Sequence, residues 1–98
     1  MEFEESLSEI VLFELPNRYF AERLFTRAVS RRLSWIQDGD EGSSVVGVLL
    51  NPDERDLALL LRDVQAWLER WGPVAIRFEL DGNMYVLQAR HQPALALG

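Results

Sequence analysis

The apolar positions of this chain change period several times, and each change marks an element. Glu9 to Leu15 (EIVLFEL) is apolar in both alternations: Ile10 and Leu12 point one way, Val11, Phe13 and Leu15 the other. A strand of that kind belongs in the middle of a sheet. Pro16 and Asn17 interrupt it. Phe20, Ala21, Leu24, Phe25 and Ala28 then fall within one arc of a helix, which the spacing predicts to run to about Arg31. Leu33 to Gln37 (LSWIQ) and Ser44 to Leu50 (SVVGVLL) read as two strands joined by the turn Asp38-Gly39-Asp40-Glu41-Gly42-Ser43, whose glycines can take positive φ.

Beyond Leu50 the period becomes helical again. Leu57, Leu60, Leu61, Val64, Trp67, Leu68 and Trp71 form one apolar stripe. Asn51 is the expected N-cap, with Pro52 at the first helical position and Glu54 at the third, a spacing that resembles a capping box. Asp53, Glu54 and Asp56 suit the positive end of the helix dipole, and Gly72-Pro73 end the helix. Val74 to Leu80 alternates cleanly, with Val74, Ile76, Phe78 and Leu80 on one side and Ala75, Arg77 and Glu79 on the other. Asp81-Gly82 is a two-residue hairpin signal. It predicts Tyr85, Leu87 and Ala89 opposite Phe78, Ile76 and Val74, leaving Met84, Val86 and Gln88 beside Arg77 and Glu79.

The element order is βαββαβ plus a fifth C-terminal strand. It resembles the ferredoxin-like, or split βαβ, arrangement. The expected class is therefore α+β: a two-layer sandwich with two helices on one face of an antiparallel sheet. The four-strand order would be 4-1-3-2, and the fifth strand would extend the sheet beyond strand four. Residues 8–90 form the expected single domain, preceded by a disordered acidic leader at 1–7 and followed by an irregular tail at 91–98 (HQPALALG).

Composition narrows the chemistry more than the fold. The 98 residues include no cysteine, so the chain offers no disulfide, thiolate metal site or thiol nucleophile. All ten basic residues are arginine, as in a GC-rich bacterial genome, so P-loop and Schiff-base lysines are excluded within it. The net charge of −6 opposes nonspecific nucleic-acid binding. The third strand also lacks the aromatic and basic residues with which RNA-recognition motifs hold bases. The acidic start and the absence of a long apolar run predict a cytoplasmic chain with no membrane partner.

Catalytic constellations are not assembled in the sequence. His91 is the single histidine, and Ser6, Ser8, Ser30, Ser34, Ser43 and Ser44 have no nucleophile-elbow context. The acidic turn fails as an EF-hand, because Gly42, Ser43 and Leu49 stand where a ligand, a glycine and a glutamate are required. No pair of carboxylates flanks a predicted cleft, and neither strand-to-helix loop carries a phosphate-cradling glycine. No metal site or cofactor is expected.

Two groups of residues remain. Helices cover only one face of the predicted sheet, so the opposite face is left apolar and open, which marks an interaction surface. Arg77, Glu79, Met84, Val86 and Gln88, with Phe13, are the candidate ligand or interface residues. Arg23, Arg27 and Arg31 recur every four residues as a basic stripe on the first helix. The stripe can pair with the acidic start of the second helix or dock an acidic partner or anionic ligand. The expected function is a non-enzymatic regulatory or protein-interaction domain, a homodimer through its open sheet face or an edge strand. One alternative is a small-ligand sensor similar to ACT-type regulatory domains, with its effector at the dimer interface. Another is a small dimeric enzyme with Arg77 and Glu79 as its working pair.

Overall fold

The computed structural model describes residues 9–89, so the expected leader, the tail and His91 lie outside the described residues. Its elements are β1 (Ile10–Leu15), α1 (Arg18–Ala28), β2 (Ser34–Asp38), β3 (Ser44–Leu49), α2 (Asp56–Arg70), β4 (Ala75–Leu80) and β5 (Asn83–Gln88). The strands make one open antiparallel sheet in the order β2-β3-β1-β4-β5. The protein is thus an α+β fold of five strands and two helices. β1, apolar on both sides, is the central strand.

The parity of the strands decides which face the helices cover. Val11, Phe13 and Leu15 of β1 point inward with Val46 and Val48 of β3 and Ile76 and Phe78 of β4, and all are buried. Ala21, Leu24 and Ala28 of α1, and Leu60, Val64, Trp67 and Leu68 of α2, close over them. Phe13 lies directly opposite Phe78, their ring centres 5.7 Å apart. Phe13 is therefore a core residue and does not belong to the open face with the other candidates. Both alternations of β1 are largely apolar, and only Glu14, on the side of Ile10 and Leu12, marks which side is open.

The hairpins follow local turn chemistry. Asp81 and Gly82 both have positive φ, as a two-residue type I′ turn demands. The register that follows pairs Ile76 with Leu87 and Phe78 with Tyr85, and the Ala89 N–H reaches the Val74 carbonyl. Glu41 and Gly42 turn β2 into β3 in the same way.

The helix ends depart from expectation. Asn17 caps α1, its Oδ1 accepting from the Phe20 N–H at 3.0 Å. The helix stops at Ala28, short of Arg31. α2 begins only at Asp56, so Asn51 is not its cap. Asp53 organises the intervening turn instead, its Oδ1 accepting from the Arg55 N–H at 2.9 Å. At the other end Trp71 leaves the helical conformation and is 56% exposed, so it drops out of the apolar stripe.

The core of α2 is centred on Leu60, Val64, Trp67 and Leu68, with Leu61 only half-buried beside it. Leu68→Ala should cost about 2–5 kcal/mol, and Leu61→Ala distinctly less, because a truncation at a site open to solvent leaves a smaller void. Urea denaturation of the two variants checks the ranking.

Candidate functional site

The two helices meet over a buried ion pair. Arg32, just past the end of α1, donates from Nε and Nη2 to the two carboxylate oxygens of Asp56 at 2.8 and 2.6 Å. Both side chains are 7% exposed. Asp56 Oδ2 also accepts from the Asn51 backbone N–H at 2.9 Å. These hydrogen bonds, that of Arg32 first, hold the Asp56 carboxyl below its ordinary value against the opposing effect of burial. Asp56 raises the Arg32 guanidinium by the same contact. The pair ties the end of α1 to the start of α2, and its demand on Asn51 bends residues 51–55 away from helix. Sequence reading placed Asp56 at a helix dipole and missed its partner. The available signal was an acidic residue in register with Leu60 and Val64, on a stripe otherwise apolar.

The basic stripe of α1 is divided among different partners. Arg27 makes a bidentate pair with Asp63 of α2, at 3.1 and 2.7 Å, in keeping with pairing between the helices. Asp63 raises the Arg27 guanidinium, chiefly through these hydrogen bonds. Arg23 lies over the rings of Tyr19 and Trp71, 5.5 and 5.9 Å from their centres. Arg31 instead turns toward a recess between the helices that it shares with Arg32, Asp56 and Arg62. The three arginines thus have different surroundings.

The opposite face of the sheet is bare of helices, and the strand register arranges it in rows. One row runs Trp35, Gly47, Leu12, Glu79, Met84, and the next Gln37, Val45, Glu14, Arg77, Val86. Ile10 and Leu49 form a shorter row, and Ala75 stands opposite Gln88. Five of the expected site residues, Arg77, Glu79, Met84, Val86 and Gln88, are thus brought together on β4 and β5.

Two contacts shape this face. Glu14 and Arg77, opposite each other on β1 and β4, pair at 2.9 Å. Arg77 is therefore engaged by Glu14, and no ion pair joins it to Glu79. Arg77 and Glu79 line the same hollow. On the other half of the face, Trp35 lies across Gly47, where any Cβ would overlap the indole ring. The Trp35 Nε1 donates to Gln37 Oε1 at 2.9 Å. A hollow between these contacts is lined by Leu12, Glu14, Val45, Arg77, Glu79 and Met84.

β5 closes one edge of the sheet. Its sequence, NMYVLQ, has no charge and no proline, and its register with β4 is free of bulges. Met84, Tyr85 and Val86 are 55%, 45% and 61% exposed, on both faces of the strand. The other edge strand, β2, ends in Asp38 beside an acidic turn.

Among the described residues no three metal-ligating side chains cluster, and no helix is long and apolar enough to cross a membrane. Comparison with protein-family models, with curated proteins and with solved structures returns no match for this chain.

Two predictions follow from these contacts. Asp56→Ala strands the Arg32 guanidinium and the Asn51 N–H together, and should cost about 3–5 kcal/mol. Because the folded carboxyl titrates below its ordinary value of 3.8, its contribution is complete above that value and fades as pH falls through the folded one. Urea midpoints taken from about pH 7 to about pH 2 should therefore converge for the wild type and the variant in acid. Gly47→Ala should expel the indole of Trp35, shifting its fluorescence and costing about 1–3 kcal/mol.

Proposed function

We propose that this domain is a non-catalytic interaction module that forms a homodimer through β5, with the adjoining part of the open sheet face at its rim. The observation that carries the reading is the uncharged edge strand β5, on which Gln65 of α2 covers the Gln88 carbonyl at 2.7 Å and Met84 and Val86 stay exposed. Edge strands present unpaired N–H and C=O groups, and proteins normally blunt them with charges, prolines or bulges. β5 has none of these, while β2 has a terminal aspartate and an acidic neighbour. That contrast supports β5 as the pairing edge, although Asp81 lies in the turn that precedes it.

The occupant we favour is a second copy of the chain. Two copies of a net charge of −6 repel each other, and a strand with no charge is the element on which they can approach. Antiparallel pairing of β5 with its mate about a two-fold axis would continue both sheets as one. Met84 and Val86 on one side and Tyr85 on the other would then lose solvent exposure, which supplies the apolar burial that backbone pairing alone lacks. The strand order and the two helices on one face support reading the architecture as ferredoxin-like with one added strand. The cysteine-free composition fits a cytoplasmic setting.

A small-ligand sensor is the second reading. It is favoured by the hollow around Arg77 on the open face, which mixes a cation, the carboxylates of Glu14, Asp40 and Glu79, and apolar walls. A dimer formed at β5 would bring this hollow near the interface without requiring catalysis.

Val86→Glu tests the dimer. Val86 is 61% exposed, so the monomer should keep its circular dichroism spectrum. The added carboxylate stands opposite Arg77, but desolvating it against its counterpart in the second copy should still weaken dimerisation at least about tenfold, or about 1.4 kcal/mol. Light scattering on both proteins decides. A wild type that stays monomeric at high concentration, or a variant as dimeric as the parent, removes the β5 interface.

A further inference from the structure

We propose that the recess between the two helices is a binding site for a small organic dianion of the phosphate-monoester type. The inference rests on how charge is distributed there, and it is independent of the dimer. Arg31, Arg32, Arg62, Asp56 and Asp63 all line the recess, whose volume is ≈ 440 Å³. Asp56 is consumed by Arg32 and Asp63 by Arg27, both bidentately. These two pairs are internally neutral. Arg31 and Arg62 are exposed and have no ion-pair partner among the described residues. The recess therefore keeps two uncompensated positive charges on an acidic chain.

The two guanidinium groups come from different elements. Arg31 lies in the turn after α1 and Arg62 in the middle of α2. The Arg32–Asp56 pair beneath them fixes the end of one helix against the start of the other, so the mouth of the recess is set by a buried contact. Guanidinium groups grip phosphate oxygens in pairs, and a phosphate monoester near neutral pH carries about 1.5 to 2 negative charges. The recess is larger than a bare phosphate needs. Leu59 and Ala66 on the α2 side give the organic portion of the ligand an apolar wall.

The test uses inorganic phosphate and phenyl phosphate as probes, each titrated into the nitrogen-15-labelled full chain against sodium chloride at matched ionic strength. Saturable amide shifts around residue 31 and residues 59–66 are expected, with phenyl phosphate the tighter ligand. Arg31→Gln combined with Arg62→Gln should weaken binding tenfold or more. Neither residue makes an ion pair, so the melting temperature without phosphate should stay within about 4 °C of the parent. Arg23→Gln, outside the recess, should bind as the wild type does. Shifts that rise linearly without saturation, or equal binding by the double variant, would overturn the site. Equal affinity for the two probes would overturn the assignment of an organic ligand.

Discussion

The ion pair between Arg32 and Asp56 fixes the relation between the two helices, and much of the remaining structure is adjusted to it. Two charges removed from water are stabilising only when their geometry is good and every remaining polar group is satisfied. Here the carboxylate accepts two guanidinium bonds and one backbone N–H. Meeting that condition places Asp56 in the first turn of α2 and Asn51 beside it, and the intervening residues form a turn around Asp53. The helix start is thus set by a tertiary contact and not by its best local cap. The same contact orders the walls of the recess that Arg31 and Arg62 line.

The sheet divides its chemistry between its two faces. The helix-covered face is apolar throughout its centre. The open face has apolar residues on either side of the Glu14–Arg77 pair, with a flattened tryptophan on the β2 side and the exposed side chains of β5 on the other. The Glu14–Arg77 pair, with Glu79 beside it, limits which registers a partner can adopt on this face, because a shifted partner would cover the charges without matching them.

What could be read from the sequence depended on how local its cause was. The β4–β5 hairpin followed from Asp81-Gly82 and strict alternation, which need no distant information. β1 was legible as a central strand, and the one signal for its parity, Glu14 on the side of Ile10 and Leu12, was overlooked in placing Phe13 on the open face. The helical period implied that Trp71 belongs to the stripe of α2, yet the helix ends at Arg70 and the indole turns to Arg23 and Arg70. Arg32 and Asp56 lie on separate elements, so their meeting became visible only once the helices were set side by side. Arg62 was missed as a partner of Arg31 for the same reason.

The position of β1 constrains the order of assembly. Among the described strands the first made is the one at the centre, and both its neighbours come later in the chain. β3 must emerge before Phe13 has Val46 to pair with, and β4 before it has Phe78. Until then a six-residue strand apolar on both sides has no sheet to join. The two hairpins, by contrast, can close as soon as they are made, since their turns are short and their contacts local. Among the described strands β4 and β5 are made last, so their hairpin meets a β1 that is already made. A nascent chain halted before β4 exposes the same edge of β1 that β4 later occupies, and that interval is when the chain is most open to misassociation.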